Sequence, residues 1–340
     1  MAGAAIYIMV PDHFRKRQGC GLLTAYGRTI STEVLSSFGS EKEARAFYAV
    51  NPENVNQWLN IGGDLRGLQL HQEDEKGPRG RFIWMEANLQ ASVQTEKLTA
   101  FMSFGKVNQS NQSLVLVPTK YYVSYQFRDE LSIKIGRFKP NYGLNIPQHN
   151  YLVRGNLQLG PGTERNAFDI QWNGEELNFT FGLSHSLLNS AIRDEEVAVN
   201  VQALVNINDQ HKIGLNYWYG EANQYKKIMF GAQAVLGFSE NFYALTEIDH
   251  LWTKNNSTYE ETKSIAELFK LGYELAKGLH LQGVQEFGKL DTTSMAETQI
   301  LGVGVIWYPR PHIEFETLWS KRSTAGTLED YAYLLLHYYF

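Results

Sequence analysis

The sequence predicts an all-β fold, a transmembrane antiparallel up-and-down β-barrel of about 16 strands. Three observations carry that prediction. Polarity alternates with a period of two along most of the chain after residue 54, tight turns alternate with longer loops, and the last residues form an apolar alternate face that ends in an aromatic.

Composition sets the frame. The chain has 340 residues, 13% of them aromatic, with a formal net charge of −5 and a mean hydropathy of −0.33. Such an aromatic load at negative hydropathy implies apolar residues interleaved with polar ones. No stretch approaches the roughly 18 unbroken apolar residues of a membrane helix, whereas a barrel strand needs only about 10 residues of alternating polarity. The mildly acidic charge and the lack of a long basic run argue against nucleic acid as a partner. Cys20 is the only cysteine, so no intramolecular disulfide, cysteine-based metal site or c-type haem attachment is expected, and no cofactor is implied.

Parity identifies the strands. Along 197–207 the odd positions are Val197, Val199, Val201, Ala203, Val205 and Ile207, and the even ones include Asn200, Gln202 and Asn206. Leu177, Phe179, Phe181 and Leu183 alternate with Asn178, Thr180, Gly182 and Ser184; Ile213, Leu215, Tyr217 and Tyr219 alternate with Gly214, Asn216, Trp218 and Gly220. Ile228, Phe230, Ala232, Ala234, Leu236 and Phe238 continue the pattern, which Met229 and Val235 blur. The predicted strands are 55–70, 80–94, 96–106, 118–127, 130–138, 166–173, 175–186, 195–208, 210–221, 225–238, 241–254, 262–275, 278–288, 297–308, 311–321 and 329–340.

Connections after even-numbered strands are tight, as at 94–96, 128–130, 173–175 and 276–278. Those after odd-numbered strands are mostly longer and polar, at 71–79, 107–117, 138–165, 189–195, 253–258, 290–295 and 321–328, with a short exception at 221–224. This asymmetry is that of a barrel in the bacterial outer membrane, with both chain ends on the short-turn, periplasmic rim.

Parity also sorts the two faces. Ile83, Met85, Ala87, Leu89, Tyr121, Val123, Tyr125, Leu301, Val303, Val305, Trp307, Ile313, Phe315 and Trp319 are expected to face lipid. The inward set holds nine acidic residues (Asp64, Glu86, Asp169, Glu247, Asp249, Glu274, Glu286, Glu314 and Glu316) and four basic ones (Arg66, Lys134, Lys212 and Lys270). Unpaired charges do not persist in a dry interior, and 16 or so strands leave room for water. A water-filled lumen is the expectation, with some of these charges paired across the wall.

Counting back from Phe340, alternate residues are Tyr338, Leu336, Leu334 and Ala332. This ending resembles the C-terminal signal read by the barrel-assembly machinery, which the resemblance implies as a partner. The longest connection, 138–165, carries internal Pro, Gly and apolar residues, which points to an ordered, functional loop. In its ordinal position it resembles the constriction loop of 16-stranded porins. The segment Ile135-Gly136-Arg137-Phe138-Lys139-Pro140-Asn141-Tyr142-Gly143 is similar to the strand-to-loop segment of phosphate-selective porins of the O/P type. Carried onto this chain, the resemblance implies constriction candidates Arg137, Lys139, His149, Arg154 and Arg165 on or beside the loop, facing Glu247, Asp249, Glu314 and Glu316 on the wall. Basic groups opposite acidic ones would set a transverse field; alternatively, they tie the loop down by ion pairs. An acidic wall does not suit phosphate as the solute.

Residues 1–19 read as a poor signal-like or extraneous segment. Residues 20–54, partly helical in pattern, read as a periplasmic or mouth-plugging piece, with 55–340 as the barrel. Cys20 lacks a lipobox before it.

The function implied is a porin for passive diffusion of small polar solutes or ions, in contact with outer-membrane lipid and able to form a homotrimer as many such porins do. The alternative is a scaffold that sheathes or anchors a periplasmic or surface partner, for example an electron carrier. No catalysis is expected, because His185, His250, His280 and His312 lie scattered without a paired nucleophile. No metal site is expected either.

Overall fold

The protein is described by a computed structural model covering residues 36–38, 58–107, 117–144, 146, 151–157, 159, 163–186, 195–208, 210–290, 297–310 and 312–339. The expectations for residues 1–19, Cys20, His149 and Phe340, and for all of 20–54 except 36–38, lie outside the described residues.

Sixteen strands form in chain order: β1 (Leu59–Asp74), β2 (Gly77–Gln94), β3 (Leu98–Val107), β4 (Val117–Gln126), β5 (Leu131–Phe138), β6 (Arg165–Asn173), β7 (Leu177–His185), β8 (Val197–Asn208), β9 (His211–Glu221), β10 (Tyr225–Gly237), β11 (Phe242–Asn255), β12 (Glu261–Ala276), β13 (Leu279–Leu290), β14 (Glu297–Trp307), β15 (Ile313–Thr324) and β16 (Thr327–Tyr339). A single helical turn, α1 (Leu152–Gly155), lies in the long connection between β5 and β6. Each strand pairs antiparallel with its sequence neighbours, and β1 pairs with β16 from Asp64 opposite Tyr339 to Glu73 opposite Asp330, which closes the barrel. Among the described residues no helix is long and apolar enough to cross a membrane.

Two loops are shorter than the sequence suggests. The β1–β2 and β15–β16 hairpins extend through 71–74, 77–79, 321–324 and 327–328, leaving turns of two residues at Glu75-Lys76 and Ala325-Gly326. Apart from Leu328 these extensions carry few apolar residues, so apolar alternation does not reveal them. Gly326, at a φ of 87°, supplies the left-handed backbone that so tight a turn requires.

Outward parity gives the apolar belt. Leu301, Val303, Ile135 and Leu215 are more than half exposed on the barrel exterior, while their sequence neighbours turn inward. A bulge in β2 breaks the rule. Arg66 lies opposite Glu86 but Gly67 lies opposite Trp84, so Met85 is an extra residue in β2. The bulge inverts the start of β2: Phe82 and Trp84 face out, whereas Met85 is buried inside and Ile83 packs against the same interior cluster. The expectation that Ile83 and Met85 face lipid is therefore corrected, since a single inserted residue swaps the faces.

Val303 sits midway along β14 on the lipid side. Val303→Arg is expected to lower unfolding stability in bilayers by about 2–4 kcal/mol, measured by urea titration in liposomes.

Candidate functional site

The connection from β5 to β6 turns into the barrel. It leaves at Phe138, whose ring stacks edge-on with Tyr122 at 6.0 Å, and crosses to the inner wall of β8–β13. Backbone groups of the loop meet side chains that alternation aims inward. Asn200 Nδ2 donates to Asn141 O at 3.0 Å and Gln202 Nε2 to Gly143 O at 3.1 Å, while Gly143 N donates to Asn216 Oδ1 at 3.1 Å. Gly143 is obligatory twice over, because its φ is 66° and an added Cβ would collide with the Glu247 carboxylate.

Two wall carboxylates hold the loop. Glu247 on β11 accepts Arg154 Nη1 at 3.1 Å, Arg154 Nη2 at 2.7 Å and the Leu144 N–H at 3.0 Å. Arg154 also donates to the Leu144 carbonyl. Both charged side chains are 0% exposed. Glu286 on β13 accepts the Leu152 N–H at 2.5 Å, at the start of α1. Asp249, two residues along from Glu247, is fully buried, and an added Cβ on Gly231 would approach both its carboxylate and the Tyr142 hydroxyl, which places those two groups side by side.

A second charged cluster forms where the loop rejoins the wall. Arg165, the first residue of β6, lies 3.2 Å from Glu196, and Lys227 of β10 lies 3.4 Å from the other oxygen of that carboxylate. Glu196 also accepts Trp218 Nε1 at 2.9 Å and Tyr225 OH at 2.8 Å. The Arg165 guanidinium rests 4.8 Å from the Trp218 ring.

The loop carries apolar groups inward as well. Leu144, Ile146, Tyr151 and Val153 join one buried cluster with Leu68 and Leu70 of β1, Met85 of β2, Val235 of β10, Tyr243 and Leu245 of β11, Ala266 and Leu268 of β12, Val284 of β13, Leu318 of β15, and Tyr333 and Leu335 of β16. Tyr142, Leu157 and Leu159 form another with Ala198, Trp218 and Met229. The lumen is thus part polar and part apolar, where the sequence pointed only to polar lining.

The candidate residues separate into groups. Arg154 and Glu247 come together, but as a buried tie. Arg165 joins Glu196, not the Glu247–Asp249 pair. The Glu314 carboxylate lies 2.9 Å from Nδ1 of the His337 ring, whose Nε2 lies 3.1 Å from Asp64. Glu316 accepts from Gln282 at 3.1 Å and Tyr333 at 2.9 Å, so both acids on β15 engage wall neighbours. Lys139 is partly buried just past β5. Arg137 pairs in register with Tyr121 and Asn166, both exposed on the outer face, and so falls on the outward parity; the expectation that it lines the pore is corrected. Leu334 and Leu336 lie exposed on the outer face and Tyr338 is partly exposed.

Glu196, Trp218, Lys227 and Glu286 belong to these clusters without having been candidates. A large Trp218 among Gly214, Asn216 and Gly220, and the blurring Met229 and Val235, were the available signals: bulky groups on a wall's inner parity need something inside to pack against.

No family model matches the sequence, and no curated protein does. Solved structures do match in fold. A loop-deleted form of OmpT, an outer membrane protein of Vibrio cholerae, superposes with a TM-score of 0.67 at 8% identity, over 83% of this chain and 99% of that one. An anion-selective porin from Comamonas acidovorans gives 0.66 at 8% identity, with 83% and 99% covered. The outer membrane channel DcaP of Acinetobacter baumannii gives 0.61 at 10% identity, with 83% and 97% covered. The fold is that of an outer-membrane barrel. Its apolar exterior and closed edge place it in the bacterial outer membrane. The expectation of no catalysis is withdrawn: the neighbours, OmpT among them, match at 7–12% identity, a likeness confined to fold that argues neither for nor against an enzyme.

Glu247→Gln leaves Arg154 buried without its counter-charge. It is expected to cost about 3–5 kcal/mol, and the double variant Arg154→Met/Glu247→Met less than either single change. Urea titrations of the wild type, Glu247→Gln, Arg154→Met and the double variant check this.

Proposed function

We propose that this protein is a porin-like channel that passes small polar solutes or ions, narrowed by the loop between β5 and β6. The observation that carries the reading is the position of that loop: a segment joining two lipid-facing strands turns inside a closed 16-stranded barrel and is tied to inward carboxylates. Hydrogen-bonding side chains line the inner wall at many levels, including Asp64, Arg66, Lys134, Asp169, Glu286 and Glu314. A lumen so furnished suits water and hydrated solutes better than lipid.

Phosphate selectivity of the O/P type has less support. The basic side chains Lys134, Arg154, Arg165 and Lys227 each lie within ion-pair distance of a carboxylate, which leaves no uninterrupted basic track among them. A homotrimer fits the reading, since OmpT of Vibrio cholerae is described in a trimer form. Strand β16, with Leu334, Leu336 and Tyr338 on its outward parity, suits recognition by the barrel-assembly machinery.

Planar-bilayer recording tests the channel. Stepwise currents are expected, and the Glu314→Gln/Glu316→Gln variant is expected to show a reversal potential moved away from cation preference. Silence from both the folded wild type and a variant with a shortened β5–β6 loop would overturn the reading.

A further inference from the structure

The buried apolar cluster inside the barrel has a consequence for conduction. Its wall members come from β1, β2, β10, β11, β12, β13, β15 and β16, and Leu144, Ile146, Tyr151 and Val153 of the loop join them. Val153 is 0% exposed and Tyr151 is 1% exposed. The loop therefore packs against apolar side chains from eight of the sixteen strands. Met85 belongs to this set only because of the β2 bulge, and Leu68 and Leu70 supply inward apolar groups on the neighbouring strand.

Polar ties also hold the loop: Lys270 Nζ donates to the Tyr151 hydroxyl at 3.4 Å, beside the bonds of Asn141 and Gly143 to β8 and β9. Arg154–Glu247, Leu144 N–H to Glu247 and Leu152 N–H to Glu286 pin the two ends of the same apolar stretch. A hydrated ion entering this zone would have to give up much of its water against Leu, Val and Ile side chains, among which the Tyr151 and Tyr333 hydroxyls are already engaged by Lys270 and Glu316. Hydrophobic constrictions of this kind stop conduction by excluding water, without any need for a physical plug of greater size.

We propose that Leu144, Ile146, Tyr151 and Val153, packed on the wall, form an apolar seal that holds the channel in a closed state, with the Arg154–Glu247 pair as its latch. The seal rests on the channel reading given above. Opening consists of the loop withdrawing from the wall once that pair parts, so that water enters between loop and barrel. The device differs from a fixed charged eyelet: its resting conductance is low, and polarity within the seal, not the sign of the lumen charge, controls how often it opens.

Single-channel recording tests this on four proteins: wild type, Val153→Ser on the loop, Leu268→Ser on the wall, and a variant in which 142–159 is replaced by a short Gly-Ser linker. Retention of β-sheet circular dichroism and heat-modifiable gel mobility confirms that each is folded. The expected result is brief, rare openings in wild type, open probability raised about threefold or more in either Ser variant as the seal wets, and sustained currents in the linker variant. Wild-type currents equal to those of the linker variant and unmoved by both Ser changes would overturn the seal and leave the channel standing. Sustained currents in the linker variant alone, with both Ser variants as quiet as wild type, would also overturn it, because polar ties would then be holding the pore shut. Silence from all four would remove seal and channel together. If Val153→Ser fails to fold, Leu268→Ser decides alone.

Discussion

A chain in hydrocarbon has no water with which to pair its peptide groups, so every N–H and C=O must find a partner within the protein. The rest of this structure follows from that constraint. Sixteen strands pair only with neighbours until β16 meets β1, and the ring leaves no open edge. Closure in turn assigns every second side chain to lipid and every other one to the interior. The interior is then wide enough that wall side chains alone do not fill it, and a piece of the chain is available to enter it.

What enters is held by a division of labour. Backbone amides of the loop, which would otherwise be stranded inside, are satisfied by Glu247, Glu286 and Asn216. The one guanidinium at its centre is matched in two-point fashion to a single carboxylate, the geometry in which a buried ion pair is least costly. Apolar contact supplies most of the remaining surface. Arg165 repeats the arrangement at the loop's exit, where Glu196 collects hydrogen bonds from Trp218 and Tyr225 and charge from Arg165 and Lys227.

The strands were legible because period-two alternation is a direct imprint of the two solvents, and the observed limits of β3 to β14 differ from the expected ones by two residues or fewer at each end. The far ends of the β1–β2 and β15–β16 hairpins were less legible, since the residues there are mostly polar on both faces. Met85 could not be placed, because an extra residue changes which face a side chain takes without changing its local pattern. Of the site, Arg154 and Glu247 were both read as candidates, yet their pairing joins residues 93 apart in sequence and only the closed barrel brings them together. Arg137 shows the reverse: its basic side chain suggested the pore, and strand register puts it on the other side of the wall. Glu196 and Glu286 carried no distinguishing signal, being single acids on inward parity among several.

The separation between the loop and its anchors also orders events in assembly. Leu144 and Arg154 bind Glu247 across 103 and 93 residues, and Leu152 binds Glu286 across 134. Contacts so remote in sequence are costly to form before the intervening chain is ordered. The loop can take its seat only once β11 and β13, which carry Glu247 and Glu286, are in place. A barrel caught before that step would have its wall built and its bore still vacant.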